Sequence, residues 1–585
     1  MKGKVFLFIA VIMIIVGGII ANLVQNNFYQ VKVRDVRFAT ADGSIMSGLL
    51  FIPKNATPKT PAPGILAVHG YINSRETQSG FAIEFARRGW VVLEIDQSGH
   101  GYTAPPAFAN GFGGPAGLAY LRSLDFVDKN KIGMEGHSMG GWAILAAAMA
   151  RPDDYKALVL EGSSTGAPFA AEGSTTYPKN MALVEGTFDE FSLLMWSVPV
   201  AANVVNSDKL KKVFGVTETI EPGKIYGSIE GGTARILYQP VTTHPGEHLS
   251  PTAIGYAIDW FQKTQGEEKT LAPSNQIWFW KEIATLIGLI GCILLVFAAG
   301  NLLLQAGYFS SLQGAPQNPN PASGVAWWVA AILMIIIGPL TYFPATRFAY
   351  DKFKESWLFP QKITNDIVLW LLVVTIISVI LFVIWHLLNK KKGGNAVSYG
   401  LKAAKGSTWK KIGLSAWFAF LVTAVAYLSV MVISYFFTVD FRFWIMPIKP
   451  MSATQFKIAL HYIIPLALFY LMFAVVLHGQ LRSPTSSFKK RMLMSAILGS
   501  LGYLIMLVVM YIPILAGGVA PFINTIYQTL FLIVAVQLFP LFFIVSLIST
   551  YFSEKTGLVY VGAFVNAFFI TWYMVAAQAT HIALC

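Results

Sequence analysis

Lys131-Ile132-Gly133-Met134-Glu135-Gly136-His137-Ser138-Met139-Gly140-Gly141-Trp142-Ala143-Ile144-Leu145 is the stretch that decides the fold. A short apolar segment enters Gly136-His137-Ser138-Met139-Gly140, and a run of small apolar residues leaves it. Strand, tight turn and helix form the setting in which G-x-S-x-G lifts a serine hydroxyl clear of a sheet. The flanking positions are glycine because a Cβ there would strike the adjoining strand or helix. Gly162-Ser163-Ser164-Thr165-Gly166 matches the same pattern and also follows an apolar strand, over 157–160. Its exit, Gly166-Ala167-Pro168, is a poor helix start, so Ser138 is preferred to Ser164 as a nucleophile.

Outward from this turn, residues 24–275 alternate strand and helix. Short buried strands are expected over 63–68, 90–95, 131–135, 157–161, 180–185 and 234–241, after an opening hairpin of 31–40 and 44–52 around Asp42-Gly43. Helices are expected over 77–88, 115–124, 140–150 and 251–264. Such alternation gives an α/β domain with a mostly parallel sheet, helices on both faces and right-handed crossovers.

The rest of the chain is of another kind. Of the 585 residues 55% are apolar and 12% charged, with a mean hydropathy of +0.56, beyond an ordinary soluble protein. Residues 5–23 are uncharged and long enough to cross a bilayer. They follow Lys2 and Lys4 and lack a convincing cleavage site, so an uncleaved signal anchor over 1–23 is expected. Eight further spans are read near 277–304, 326–345, 366–388, 412–437, 456–478, 492–516, 524–549 and 557–580. The division is therefore an anchor over 1–23, the α/β domain over 24–275 and a polytopic helical domain over 276–585.

Charge divides in the same way. Residues 24–275 carry a net charge of −3 and the remainder +16. The basic excess belongs to loops beside the spans, which makes membrane lipids the expected partner and argues against a nucleic-acid groove. Lys390, Lys391, Lys392, Lys402, Lys405, Lys410 and Lys411 fill one loop, and Arg482, Lys489, Lys490 and Arg491 another. Both fall on the cytoplasmic side with the amino terminus, and 24–275 then lies outside. The loop 346–365, with Arg347, Lys352, Lys354 and Lys362, is the exception on the outer side. Cys292 and Cys585 make no disulfide framework or metal spacing. No cofactor motif is present.

Acyl transfer by serine needs a base, a group orienting the base, and donors for the oxyanion. Beyond the 180–185 strand and a glycine turn stands Asp189, which would orient the base or cap the following helix; Glu190 is the neighbouring alternative. In the loop after the 234–241 strand stand His244 and His248, of which His244 is preferred by position. Histidine suits the role because it titrates near neutral pH. The oxyanion donors would be the N–H groups of Met139 and Tyr71. His69, His100 and His137 are expected to hold loops.

Val68-His69-Gly70-Tyr71, Asp96-Gln97-Ser98-Gly99-His100-Gly101 and Gly136-His137-Ser138-Met139-Gly140-Gly141 together resemble the α/β-hydrolase superfamily over residues 30–265. The likeness is greatest to the branch of dienelactone-hydrolase-like enzymes and prolyl-oligopeptidase-type peptidases. The resemblance implies a serine hydrolase with nucleophile Ser138, acid Asp189 and base His244. Asp189 and His244 stand farther apart than a compact hydrolase needs, so the residues near 193–229 read as an insertion that lines an acyl pocket or touches the membrane. The expected activity is cleavage of an ester or amide, on a lipid- or envelope-linked substrate. A transporter or channel with a hydrolase-like accessory domain, and a membrane-bound serine peptidase, remain alternatives at this stage.

Overall fold

The computed structural model describes residues 2–583 apart from 167, 267–270, 318–321, 391–393 and 484. Cys585, Lys391 and Lys392 lie outside the described residues, as does part of the 313–324 loop. In chain order the elements are α1 (Lys2–Gln25), β1 (Val31–Ala39), β2 (Ile45–Pro53), β3 (Ala62–Val68), α2 (Ser79–Arg87), β4 (Val91–Ile95), α3 (Gly114–Ser123), β5 (Val127–His137), α4 (Met139–Ala150), β6 (Ala157–Glu161), β7 (Met181–Val184), α5 (Ser192–Trp196), α6 (Asp208–Phe214), β8 (Arg235–Tyr238) and α7 (Pro251–Gln265). There follow α8 (Phe279–Gln305), α9 (Gly324–Lys352), α10 (Lys362–Asn389), α11 (Thr408–Phe437), β9 (Phe441–Phe443), β10 (Met446–Ile448), α12 (Ala453–Ala474), α13 (Phe488–Leu515), α14 (Ile526–Ala535), α15 (Leu538–Thr556) and α16 (Val559–Ala577).

The first eight strands make one sheet, ordered β1-β2-β4-β3-β5-β6-β7-β8. β1 pairs antiparallel with β2 and β2 antiparallel with β4; from β4 to β8 every pairing is parallel. Parallel strands buried on both faces read as continuous apolar runs. Successive residues still face opposite ways. Leu66 and Val68 pack with α3 and α4, whereas Ile65 and Ala67 pack with α2 and α7. The insertion between β7 and β8 folds as α5, a short 3-10 turn and α6.

Among the described residues nine helices are long and apolar enough to cross a membrane, Gly3–Gln25 ahead of the sheet and the others after it. α1 lies along α8, where a Cβ on Gly17 would come 2.6 Å from the Ala284 carbonyl oxygen. Small residues let two membrane helices meet this closely. The apolar run read as one span over 524–549 is two helices: α14, of ten residues, and α15, which extends to Thr556. Pro540 stands in the first turn of α15, a position compatible with the break. Its ring would clash with the carbonyl of Val536, four residues back, and it has no N–H for that carbonyl. The chain turns at 536–537 instead.

A buried ionic joint ties the sheet domain to the helices. β9 and β10 form a hairpin in the α11–α12 connection. Arg442 on this hairpin pairs with Asp440 and donates to Thr77 Oγ1 at 2.8 Å and Ser74 Oγ at 3.2 Å. Lys449 Nζ reaches Glu76 Oε2 at 2.8 Å. The Trp444 indole donates to the Pro245 carbonyl.

Candidate active site

Ser138 sits between the end of β5 and the start of α4 with φ 55° and ψ −121°. A residue with a Cβ is strained there. The turn is pinned by the Ser138 N–H donating to the Glu161 carbonyl at 2.8 Å and the Gly141 N–H donating to the Ser138 carbonyl at 2.9 Å. It also requires Gly140: a Cβ there would come 2.0 Å from the Val68 carbonyl oxygen. Ser138, Met139, Gly70, Tyr71 and His244 all line one cavity of about 370 Å³.

His244 follows β8 and is buried. Its Nδ1 lies 2.7 Å from Asp189 Oδ2. Asp189 Oδ1 accepts the Phe191 N–H at 2.6 Å. One oxygen of the carboxylate thus takes the Phe191 N–H in the turn before α5, and the other lies against the His244 ring. Burial pulls the His244 pKa down, but the Asp189 carboxylate outweighs it, so the net shift is upward. Met139 is the first residue of α4, so its N–H has no acceptor one turn back. The Ile72 N–H is taken by His100 Nε2 at 3.2 Å. Among the described residues no protein group accepts the Tyr71 N–H.

A family model described as "Serine aminopeptidase, S33" matches residues 59–191, the segment that carries β3 to β7 and the Ser138 turn. The match supports an α/β-hydrolase superfamily segment over these residues. Dipeptidyl peptidase 8 of Mus musculus and of Homo sapiens are each 30% identical over 139 residues, which is 21% of this chain and 16% of theirs. The chain thus spans about 16% of the length of these curated relatives. Among solved structures, the esterase Pf2001 of Pyrococcus furiosus is similar at 17% identity, covering 41% of this chain and 92% of its own with a TM-score of 0.31. The hypothetical protein PA2218 of Pseudomonas aeruginosa is similar at 28% identity over 23% of this chain and 43% of its own, TM-score 0.21.

The other sequence-predicted residues of the hydrolase fall as follows. Ser164 is fully buried; its hydroxyl faces Met195 Sδ and its carbonyl accepts the Trp142 indole N–H. Glu190 does not reach the His244 ring. Its Oε2 accepts the His244 backbone N–H at 2.8 Å and its Oε1 accepts the Tyr511 hydroxyl at 2.8 Å. Burial and the Asp189 charge push its carboxyl up to about 7. His248 also lines the cavity, and burial drives its pKa down to about 3. His69 and His100 are held neutral by burial in the same way and knit the 69–72 and 96–100 loops together. His137 Nε2 contacts the His244 carbonyl at 3.0 Å and Glu247 Oε2 at 3.2 Å.

His137, His244 and Glu247 present donor atoms within 4.8 Å of one another. His244 Nδ1 lies against Asp189 and Glu247 Oε1 accepts the Gly186 N–H, while the other oxygen, Glu247 Oε2, faces His137 Nε2 at 3.2 Å.

Sequence reasoning missed the membrane half's share of the cavity. Ile526, Leu530, Ile533 and Val534 of α14 line it, with Gln537, Lys354 and Lys362. His581, near the carboxyl terminus, lies with Nε2 2.8 Å from the Tyr71 hydroxyl. One signal was available: positions 526, 530, 533 and 537 recur at helical spacing on one face. From the insertion, Leu194 and Met195 reach the cavity, so the expectation that this segment lines a pocket agrees with the structure.

Proposed function

We propose that this chain is a membrane-tethered serine hydrolase that cleaves an ester or amide through an acyl-enzyme. Ser138 Oγ attacks the carbonyl, His244 takes its proton and returns it to the leaving group, and Asp189 orients and supports the imidazolium. The N–H groups of Met139 and Tyr71 receive the oxyanion. The observation that carries this reading is the strained turn of Ser138 on the same cavity as a histidine whose far nitrogen is held 2.7 Å from a carboxylate. Among the buried histidines lining this cavity only His244 has its pKa raised, which supports it over His248 as the base. The names of the similar proteins, an aminopeptidase family and dipeptidyl peptidase 8, keep amide cleavage within the proposal.

The hydrolase is proposed to lie on the outer face, with the amino terminus in the cytoplasm. With the nine long helices as spans, the connections after α9, α11, α13 and α16 share one side with the hydrolase. All four touch it: through Lys354 at the cavity, Arg442 at the ionic joint, α14, and His581 beside Tyr71. The connections rich in lysine and arginine, after α10 and before α13, fall on the opposite side, as the positive-inside rule requires.

Fluorophosphonate labelling tests the chemistry. The full-length protein in detergent is expected to be labelled, and Ser138→Ala is expected to abolish both labelling and hydrolysis of an activated ester. Equal labelling of Ser138→Ala would remove Ser138 as nucleophile.

A further inference from the structure

α14 is an anomaly in the membrane half. It is apolar and too short to cross a bilayer, and it begins and ends on the hydrolase side of the helices. Its residues divide by face. Phe531 and Ala535 pack into the helical bundle. Ile526, Leu530 and Ile533, at spacings of four and three, form the stripe that faces the Ser138 cavity. Leu530 and Ile533 are half-buried against the core of the sheet domain while also lining this cavity, and Ile526 keeps 55% of its surface exposed.

The cavity does not end at the stripe. A second hollow of about 940 Å³ adjoins it, and Ile526, Leu194, Phe191 and Pro168 line both. The second hollow is walled by the insertion on one side. On the other it meets Ile514, at the end of α13, and the loop that leads to α14. The two hollows, which share those four residues, together extend from Ser138 to the end of α13; apolar side chains make up most of their walls, with Glu172, Glu190 and Lys209 set into the second. Burying apolar surface along these walls favours a long hydrocarbon chain over a compact polar substrate.

We infer that the α14 stripe and the adjoining hollow form an acyl-chain channel, and that the substrate is a long-chain acyl ester of a membrane lipid entering from the bilayer side. The inference rests on the serine-hydrolase reading of Ser138 and adds the substrate class. The ester carbonyl stands over Ser138, the acyl chain lies along Leu530, Ile533 and Ile526, and the lipid's remaining portion stays toward the membrane. Ser138 Oγ forms a bond to the acyl carbon, and the lipid alcohol leaves with the proton that His244 carried. Water then adds to the acyl-enzyme and releases the fatty acid.

The test uses the full-length protein in two formats, p-nitrophenyl esters from acetate to decanoate in detergent, and phosphatidylglycerol vesicles with a labelled oleoyl chain. Each added methylene is expected to raise kcat/KM by about fourfold until the channel is filled, so with about four or more methylenes accommodated decanoate should exceed acetate by at least about 100-fold. Leu530→Trp should cut the decanoate-to-acetate ratio by about tenfold or more, and Leu530→Ala should shift the optimum to a longer chain. Labelling of both variants by a small fluorophosphonate reports that the fold and nucleophile are intact. Oleate release from vesicles should be lost in Ser138→Ala and reduced in Leu530→Trp. A flat chain-length series with Ser138 still labelled would overturn the channel while leaving the hydrolase standing. A steep series that neither Leu530 variant alters would overturn the role of α14, and a steep, Leu530-dependent series without oleate release would overturn the membrane source. Absence of labelling and of all ester hydrolysis would instead sink the hydrolase reading itself.

Discussion

Tyr511 and Glu190 connect the membrane helices to the His244 loop through one hydrogen bond: the Tyr511 hydroxyl on α13 donates to Glu190 Oε1 at 2.8 Å. The other oxygen of that carboxyl accepts the backbone N–H of His244 at 2.8 Å. α13 therefore helps set where the imidazole stands. Tyr511→Phe leaves a buried carboxyl oxygen without its donor, and the Glu190 side chain is then free to shift. The expected result is a fall in kcat of about ten- to a hundredfold with KM little changed, since small misplacements of a catalytic group cost this much. Steady-state kinetics on a short-chain ester would measure it, and equal kcat values would show that Glu190 needs no help from α13.

The pH dependence of the reaction follows from His244. The proposed base must be neutral to accept a proton, and Asp189 holds its pKa above the ordinary 6.5. Activity is therefore expected to be full at alkaline pH and to fall as pH drops through a value above 6.5. Asp189→Asn removes the charge that raises the pKa and the acceptor that fixes the tautomer. It should move the acid limb of the kcat/KM profile to lower pH and lower kcat by about 10⁴-fold. An acid limb that stays in place would mean that another group titrates there.

Arg442 is the residue on which the junction between sheet domain and helices most depends. It is buried, and its guanidinium serves Asp440 and the side chains of Ser74 and Thr77 together, with Glu76 Oε2 3.5 Å away. Arg442→Ala would leave the buried Asp440 carboxylate without its guanidinium, while Glu76 keeps Lys449 and Arg75; breaking one buried pair in this way typically costs about 3–5 kcal/mol. Thermal unfolding in detergent should show a lowered midpoint. Arg442→Lys should recover only part of it, because an ammonium cannot reproduce the guanidinium's fork of donors.

The sheet was legible because each of its strands announces itself locally: an apolar run, a glycine or polar stop, then a helical period. The Ser138 turn was legible for the same reason, its glycines being demanded by contacts within a few residues. Asp189 and His244 are preferred over Glu190 and His248 by position along the chain alone; what the structure adds is the 2.7 Å contact between their side chains. Glu190 instead takes the His244 backbone N–H, and His248 lines the same cavity. The contribution of α14 was hidden by composition. A wedge helix and a span have the same apolar content, and a proline does not separate them, since Pro339, Pro344, Pro465 and Pro513 lie inside unbroken helices. His581 could not have been found, since nothing in the sequence near it says that the carboxyl-terminal segment returns to Tyr71.

Glu135 gives the last prediction, one of stability. It stands on β5 across Ala67 of β3 from Glu94 of β4, and burial pushes both carboxyls up to about 8. Unfolded, each titrates near 4.5. Between these values the folded protein keeps protons that the unfolded chain releases, so their contribution is fully present below about pH 4.5 and is lost as pH rises toward 8. Each pKa unit corresponds to about 1.4 kcal/mol. Glu135→Gln keeps an oxygen for the Gln78 amide, which donates to Glu135 Oε1 at 2.7 Å, and has no proton to lose. Unfolding midpoints measured from pH 5 to pH 8 should decline less steeply in Glu135→Gln than in the parent, with the variant the more favoured at the alkaline end. Parallel curves would mean that Glu135 is ionised in the folded protein across this range.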